Sequence, residues 1–234
     1  MSVGRHRVRI LTLLVVALVL LGSARGEAHG VSGSDALFLQ GLTGAATGPL
    51  MYLGAKHRVT GYDHLAFLVG VVFFLYRVKD VVLYVSLFTL GHSNTLLGGV
   101  LGGIEANPYL VDAVIGLSVV YKAMDNLQVF PRFFGVQPDP RAAVLLFGLF
   151  HGFGLATKLQ AFTLPANGLV ANIVSFNVGV EIGQCVALTL VLAALTLWRT
   201  RPGYVTHAFA TNSALMGAGF LLVGYQLSGY LLEF

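Results

Sequence analysis

Apolar residues in this chain come in long runs broken by short polar clusters, and the lengths of the runs set the elements. A hydrocarbon core about 30 Å thick takes about 20 residues of helix. Runs of that order predict six spanning helices, near residues 62–77, 80–104, 108–128, 141–163, 169–198 and 207–232. Ahead of them, 35–57 is apolar but rich in Gly, Thr and Ser. It predicts either a seventh span or an interfacial or re-entrant helix. The N-terminus reads differently. Arg5, Arg7 and Arg9 precede the apolar run Ile10 to Leu21, and small residues follow in Gly22-Ser23-Ala24 and Gly26-Glu27-Ala28. A charged start, an apolar stretch too short for an ordinary span and small residues together predict a signal peptide over 1–28, cleaved after Ala24 or Ala28, with an uncleaved signal anchor as the alternative. The remainder, 29–234, then forms a single all-α transmembrane helical domain.

Composition agrees. Hydrophobic residues make up 56% of the 234 positions and charged residues 10%, where a soluble domain carries about a quarter. So few charges cannot cover a water-facing surface, and a lipid bilayer must replace water around most of the chain. The excess of basic residues does not indicate nucleic acid, because Lys and Arg are scattered between apolar runs rather than gathered with aromatics. In a membrane protein they set topology. An exported N-terminus puts Arg77, Lys79, Arg132, Arg141, Arg199 and Arg201 inside, with Lys56 and Arg58 outside. A full span over 35–57 would reverse that order, so an outer interfacial or re-entrant segment is the expectation. Both mature termini then lie on the periplasmic side of a bacterial cytoplasmic membrane. Cys185, the one cysteine, rules out an internal disulfide and a multi-cysteine metal site. Its apolar surroundings predict a small packed residue. The 29 glycines punctuate apolar runs, where small residues let helices approach closely. There is no internal repeat of the kind that marks inverted-repeat transporters.

Ionisable groups in spans are costly and therefore informative: insertion scales put them at about 2.5–3.5 kcal/mol each at the centre. His57 and His64 are seven residues apart in His57-Arg-Val-Thr-Gly-Tyr-Asp63-His64. On one continuous helix that is about 10 Å, too far to share an ion, but Gly61 can bend the chain and close the gap. His92 and Ser93 lie midway through the second span, and His151 lies between Phe150 and Gly152 in the fourth. Asn177, Glu181 and Gln184 follow helical spacing and share a face of the fifth. Counted from the outside inward, His92, His151 and Glu181 fall near mid-depth, with Asp63 and His64 higher. Imidazoles and carboxylates on four helices suit a borderline divalent ion, Ni²⁺, Co²⁺ or Zn²⁺. The lack of further cysteines argues against copper(I). The candidate metal ligands are His57, Asp63, His64, His92, His151 and Glu181, supported by Ser93, Asn177 and Gln184. Lys122 and Asp125, three apart, predict a structural pair.

These motifs resemble the HupE/UreJ family of hydrogenase and urease accessory membrane proteins. The His57-x5-Asp63-His64 segment looks like the family's first motif, and Phe150-His151-Gly152 with Glu181 looks like parts of its second. The closer likeness is to a broader HupE/UreJ-like branch. There the Gly-Tyr-Asp-His, Thr-Leu-Gly-His-Ser, His-Gly-Phe-Gly and Asn-Val-Gly-Val-Glu motifs recur in this order. The resemblance covers roughly 57–185 and implies a nickel or cobalt permease serving metalloenzyme maturation.

Three functions compete. The leading expectation is a facilitator for Ni²⁺ or Co²⁺, with no nucleotide-binding motif to couple it to ATP. The alternative is an intramembrane zinc hydrolase. There Glu181 or Asp63 is the general base, and Ser93 or Asn177 orients substrate. The third is a non-catalytic membrane accessory subunit, whose partner and oligomeric state the sequence leaves open.

Overall fold

The computed structural model describes residues 44–160 and 167–232. The expected signal peptide, its cleavage sites and the start of the 35–57 segment lie outside those residues. Among the described residues the structure is helical: α1 (Thr47–Thr60), α2 (Tyr62–Val72), α3 (Val78–Leu101), α4 (Pro108–Asn126), a π-helical turn (Phe130–Phe134), α5 (Pro140–Gln160), α6 (Leu169–Arg199) and α7 (Tyr204–Leu232). Four helices, α3, α5, α6 and α7, are long and apolar enough to cross a membrane. α2, expected to span as 62–77, is 11 residues long, and α4 carries buried Asp112, Lys122 and Asp125.

Local chemistry explains the boundaries. The Asn107 side chain accepts from the Leu110 N–H at 3.2 Å, and Pro108 occupies the first turn of α4, a capping arrangement that suits orphan N–H groups. At the end of α2, the Val72 and Phe73 carbonyls accept from Arg199 at 2.8 and 2.7 Å. Between α1 and α2, Gly61 is extended (φ −73°, ψ 103°). That conformation is open to any residue. Space there is tight: a Cβ would lie 3.1 Å from the His64 ring and 3.2 Å from the His57 carbonyl, so a larger residue fits only if those neighbours shift by a few tenths of an ångström.

The segment expected to be interfacial or re-entrant keeps one face exposed, at Tyr52 and Val59, and packs the other along α6: Asn172 donates to the Gly44 carbonyl at 3.0 Å, a Cβ on Gly179 would fall on the Met51 carbonyl, and one on Gly183 would press on Ala55. Residue numbers rise together along that seam, so α1 and α6 run parallel. α2 continues in the same direction to the Arg199 contact. α3 runs opposite to α6, since Thr89 meets Glu181 and Ser93 meets Asn177. α4 opposes α5 through Asp112–Lys158 and Tyr121–Phe147, and α7 opposes α4 through Asn126–Asn212. Small residues seat the helices, as the glycine pattern predicts: Gly91 and Gly148 between α3 and α5, Gly116 and Gly219 between α4 and α7.

Two apolar clusters fill the interior. One gathers Phe67, Val72, Phe88, Val119 and Tyr204; the other gathers Leu50, Leu96, Leu155, Phe176 and Val180. Outside, Val170, Val174, Val178, Ile182, Val186 and Leu190 form an exposed stripe along α6, an apolar surface that suits lipid. Cys185 is exposed on the same helix. The expectation of a packed cysteine therefore fails: position 185 falls on the outward side of α6, a rotation that an unbroken apolar run does not reveal.

Candidate metal centre

Each histidine arrives by a different route. His57 ends α1, Asp63 and His64 open α2, His92 sits midway along α3 and His151 midway along α5. The break at Gly61 folds the first two together, and the His57 and His64 ring centroids are 5.5 Å apart. His64 is the hub, 4.9 Å from His151 and 6.4 Å from His92 by ring centroids. Its Nδ1 is 3.0 Å from the Asp63 carboxylate. All of Asp63, His64, His92 and His151 are at most 2% exposed.

Asp63, His64 and His151 each offer a ligand atom within 4.8 Å of the others. Ligands of a tetrahedral ion with bonds near 2 Å stand about 3.3 Å apart, so rotamer adjustments of about 1.5 Å or less bring the three onto an ion. The His151 Nδ1 is 2.7 Å from the Phe147 carbonyl. A carbonyl can only accept, so Nδ1 carries the proton and Nε2 keeps a lone pair. That outer hydrogen bond is the usual way a ligating imidazole is oriented. The His151 Nε2, the His57 Nε2 and both ring nitrogens of His92 are buried with no hydrogen-bond partner among the described residues. Each unsatisfied group costs about 1–3 kcal/mol, and a shared cation relieves several at once. The residues present fit a divalent transition ion.

The arrangement differs from the expected depth order. Asp63 and His64, expected higher than His92 and His151, lie level with them. The reason is α1, which occupies the first half of the path beside α6 and hands the chain to α2 at mid-bundle. Arg58 moves with them. Expected as an outer topology charge, it is 2% exposed, donates to the Gln184 carbonyl oxygen and stacks 4.8 Å over the Phe88 ring.

Glu181 stands beside the close trio rather than in it. It accepts from the Thr89 hydroxyl at 2.8 Å, and Gln184 donates to the same hydroxyl at 2.9 Å. Asn177 donates to Ser93 at 3.0 Å. The expected shared face of Asn177, Glu181 and Gln184 is present, turned toward α3. Lys122 pairs with Asp125 as its spacing predicts. A second pair, Lys158 with Asp112 at 2.9 Å, joins residues too far apart in sequence for spacing to reveal.

The site is flanked by both apolar clusters: Phe67 and Phe88 lie 5.2 and 5.1 Å from His151, and Phe176 lies 6.4 Å from His57. Against known proteins, no curated protein and no solved structure matches the chain. A family model described as HupE / UreJ protein matches residues 33–234. Covering most of the chain and the four helices that carry His57, His64, His92 and His151, that match places this protein in the HupE/UreJ family.

Proposed function

We propose that the protein is a facilitator for a divalent transition ion, nickel or cobalt, bound transiently at the centre of the bilayer. The carrying observation is the convergence of Asp63, His64 and His151 with unpaired nitrogens of His92 and His57 around them. The family's association with nickel and cobalt accessory functions supports the choice of ion. α1 and α2 act as one broken crossing. With α4 they complete a six-crossing bundle whose chain directions alternate. Arg77, Lys79, Arg132, Arg141, Arg199 and Arg201 fall at one end of it, the cytoplasmic end by the positive-inside rule. The ion enters from the opposite end, where Lys158 and Asp112 pair beside the path.

Conduction requires binding weak enough to reverse. Histidines on separate helices satisfy that, because small relative movements of α2, α3 and α5 change the ligand number. One feature favours a second reading, an intramembrane zinc hydrolase. Two imidazoles and a carboxylate with an open fourth position are the ligand set of catalytic zinc, and Glu181 stands ready nearby as a base.

The test is metal analysis and uptake together. Purified protein is expected to bind about one labile nickel or cobalt per chain. Substituting His64→Ala or His151→Ala abolishes binding and uptake of labelled nickel in cells. One zinc per chain that resists chelation, with no uptake, favours the hydrolase. No metal under any loading condition refutes both.

A further inference from the structure

Arg58 is difficult to explain by packing alone. It is 2% exposed in the middle of an apolar bundle. One terminal nitrogen donates to the neutral side chain of Gln184. The other, Nη1, is buried with no hydrogen-bond partner among the described residues. No carboxylate lies within ion-pair distance of it among those residues. Yet it stands at the metal cluster: its guanidinium covers the Phe88 ring, and that ring is 5.1 Å from His151 and 6.0 Å from His92. Its neighbour in sequence is His57, another cluster member.

The charge count gives the missing partner. Arg58 contributes one positive charge, Asp63 and Glu181 one negative charge each, and the histidines bind metal as neutral ligands. The empty centre is thus at minus one and the loaded centre at plus one. A buried net charge is costly in low dielectric, and one monovalent anion removes it. Arginine N–H groups match the geometry of planar oxyanions better than any other side chain.

We propose that Arg58, through its unpaired Nη1, would hold a small carboxylate-class oxyanion beside the centre when the ion is bound. This rests on the metal-centre reading. It adds that the ion is held, and moves or reacts, with an anionic co-ligand.

The experiment uses full-length protein in detergent loaded with Co²⁺, whose visible absorption reports its ligands, and formate as the probe. Formate is expected to shift the cobalt band saturably in the wild type. Its affinity falls about 10- to 100-fold in Arg58→Gln, the loss of one charge-assisted hydrogen bond, while cobalt is retained. Arg58→Lys, which keeps the charge, falls between. Metal-free protein takes up no formate. A wild-type spectrum indifferent to formate overturns the proposal, as does equal affinity in wild type and Arg58→Gln. Should Arg58→Gln fail to fold, Arg58→Lys and the wild-type titration still decide it. A wild type that binds no cobalt overturns the metal centre itself, and the anion site with it.

Discussion

Lys122 and Asp125 show how single residues survive inside an apolar bundle. Their side chains are 9% and 10% exposed, and Asp125 also accepts from Gln137 at 2.7 Å. Removing one partner of a buried pair leaves the other uncompensated, at a cost of about 3–5 kcal/mol, while replacing both with apolar residues is often neutral. Lys122→Met is therefore expected to lower the thermal midpoint in detergent sharply, and Lys122→Met with Asp125→Leu to recover most of the loss. A single variant as stable as the wild type contradicts the pairing. This pair was legible in the sequence because helical spacing alone brings residues three apart together. Asp112 and Lys158 were not, because their meeting depends on how α4 lies against α5. Arg58 differs for a related reason: a basic residue just before an apolar run reads as a topology signal, and only the packing of α1 along α6 reveals that its side chain is buried.

At the scale of helices, glycine determines which pairs can touch. Gly54 and Gly179 face each other's helix so closely that a Cβ on either would strike backbone, whereas Gly98 and Gly217 have nothing within 4 Å. Gly54→Leu and Gly179→Leu are expected to destabilise the protein by several kcal/mol through overpacking. Gly98→Ala and Gly217→Ala should be neutral or gain up to about 1 kcal/mol from helix propensity. Thermal melting of the four variants checks the contrast, and a large loss at Gly98 would mean that another surface covers it. The sequence carried the general property, glycines at helix seams, but not the partners, since every apolar helix presents several glycine-bearing faces. The same limit applies to the metal centre. All of its histidines were legible as improbable groups in lipid, and the role of Gly61 in joining His57 to His64 followed from spacing. Their common depth did not follow, because hydropathy merged Tyr62–Val72 with the residues after it and left α1 as a surface segment.

For the whole molecule the central question is which end faces the cytoplasm, because that decides the direction from which an ion meets the cluster. In the six-crossing arrangement, Glu105 lies in the turn between α3 and α4 and Arg132 in the π-helical turn between α4 and α5, at opposite ends of α4; both are exposed. Cys185 faces outward from an apolar stretch of α6, where a charged reagent in water does not reach it, and Cys185→Ser removes it altogether. In that background, Glu105→Cys in intact cells should react with a membrane-impermeant maleimide, and Arg132→Cys should react only after the membrane is opened. The reverse pattern would invert the bundle, placing the Asp112–Lys158 end in the cytoplasm and making the same centre an exit route. Labelling of both positions in intact cells would mean that α4 does not cross. In that case the 19 residues of α4, with their three buried charges, would have to lie where water can reach both ends, and a mid-membrane metal site would no longer follow from the alternation of the helices.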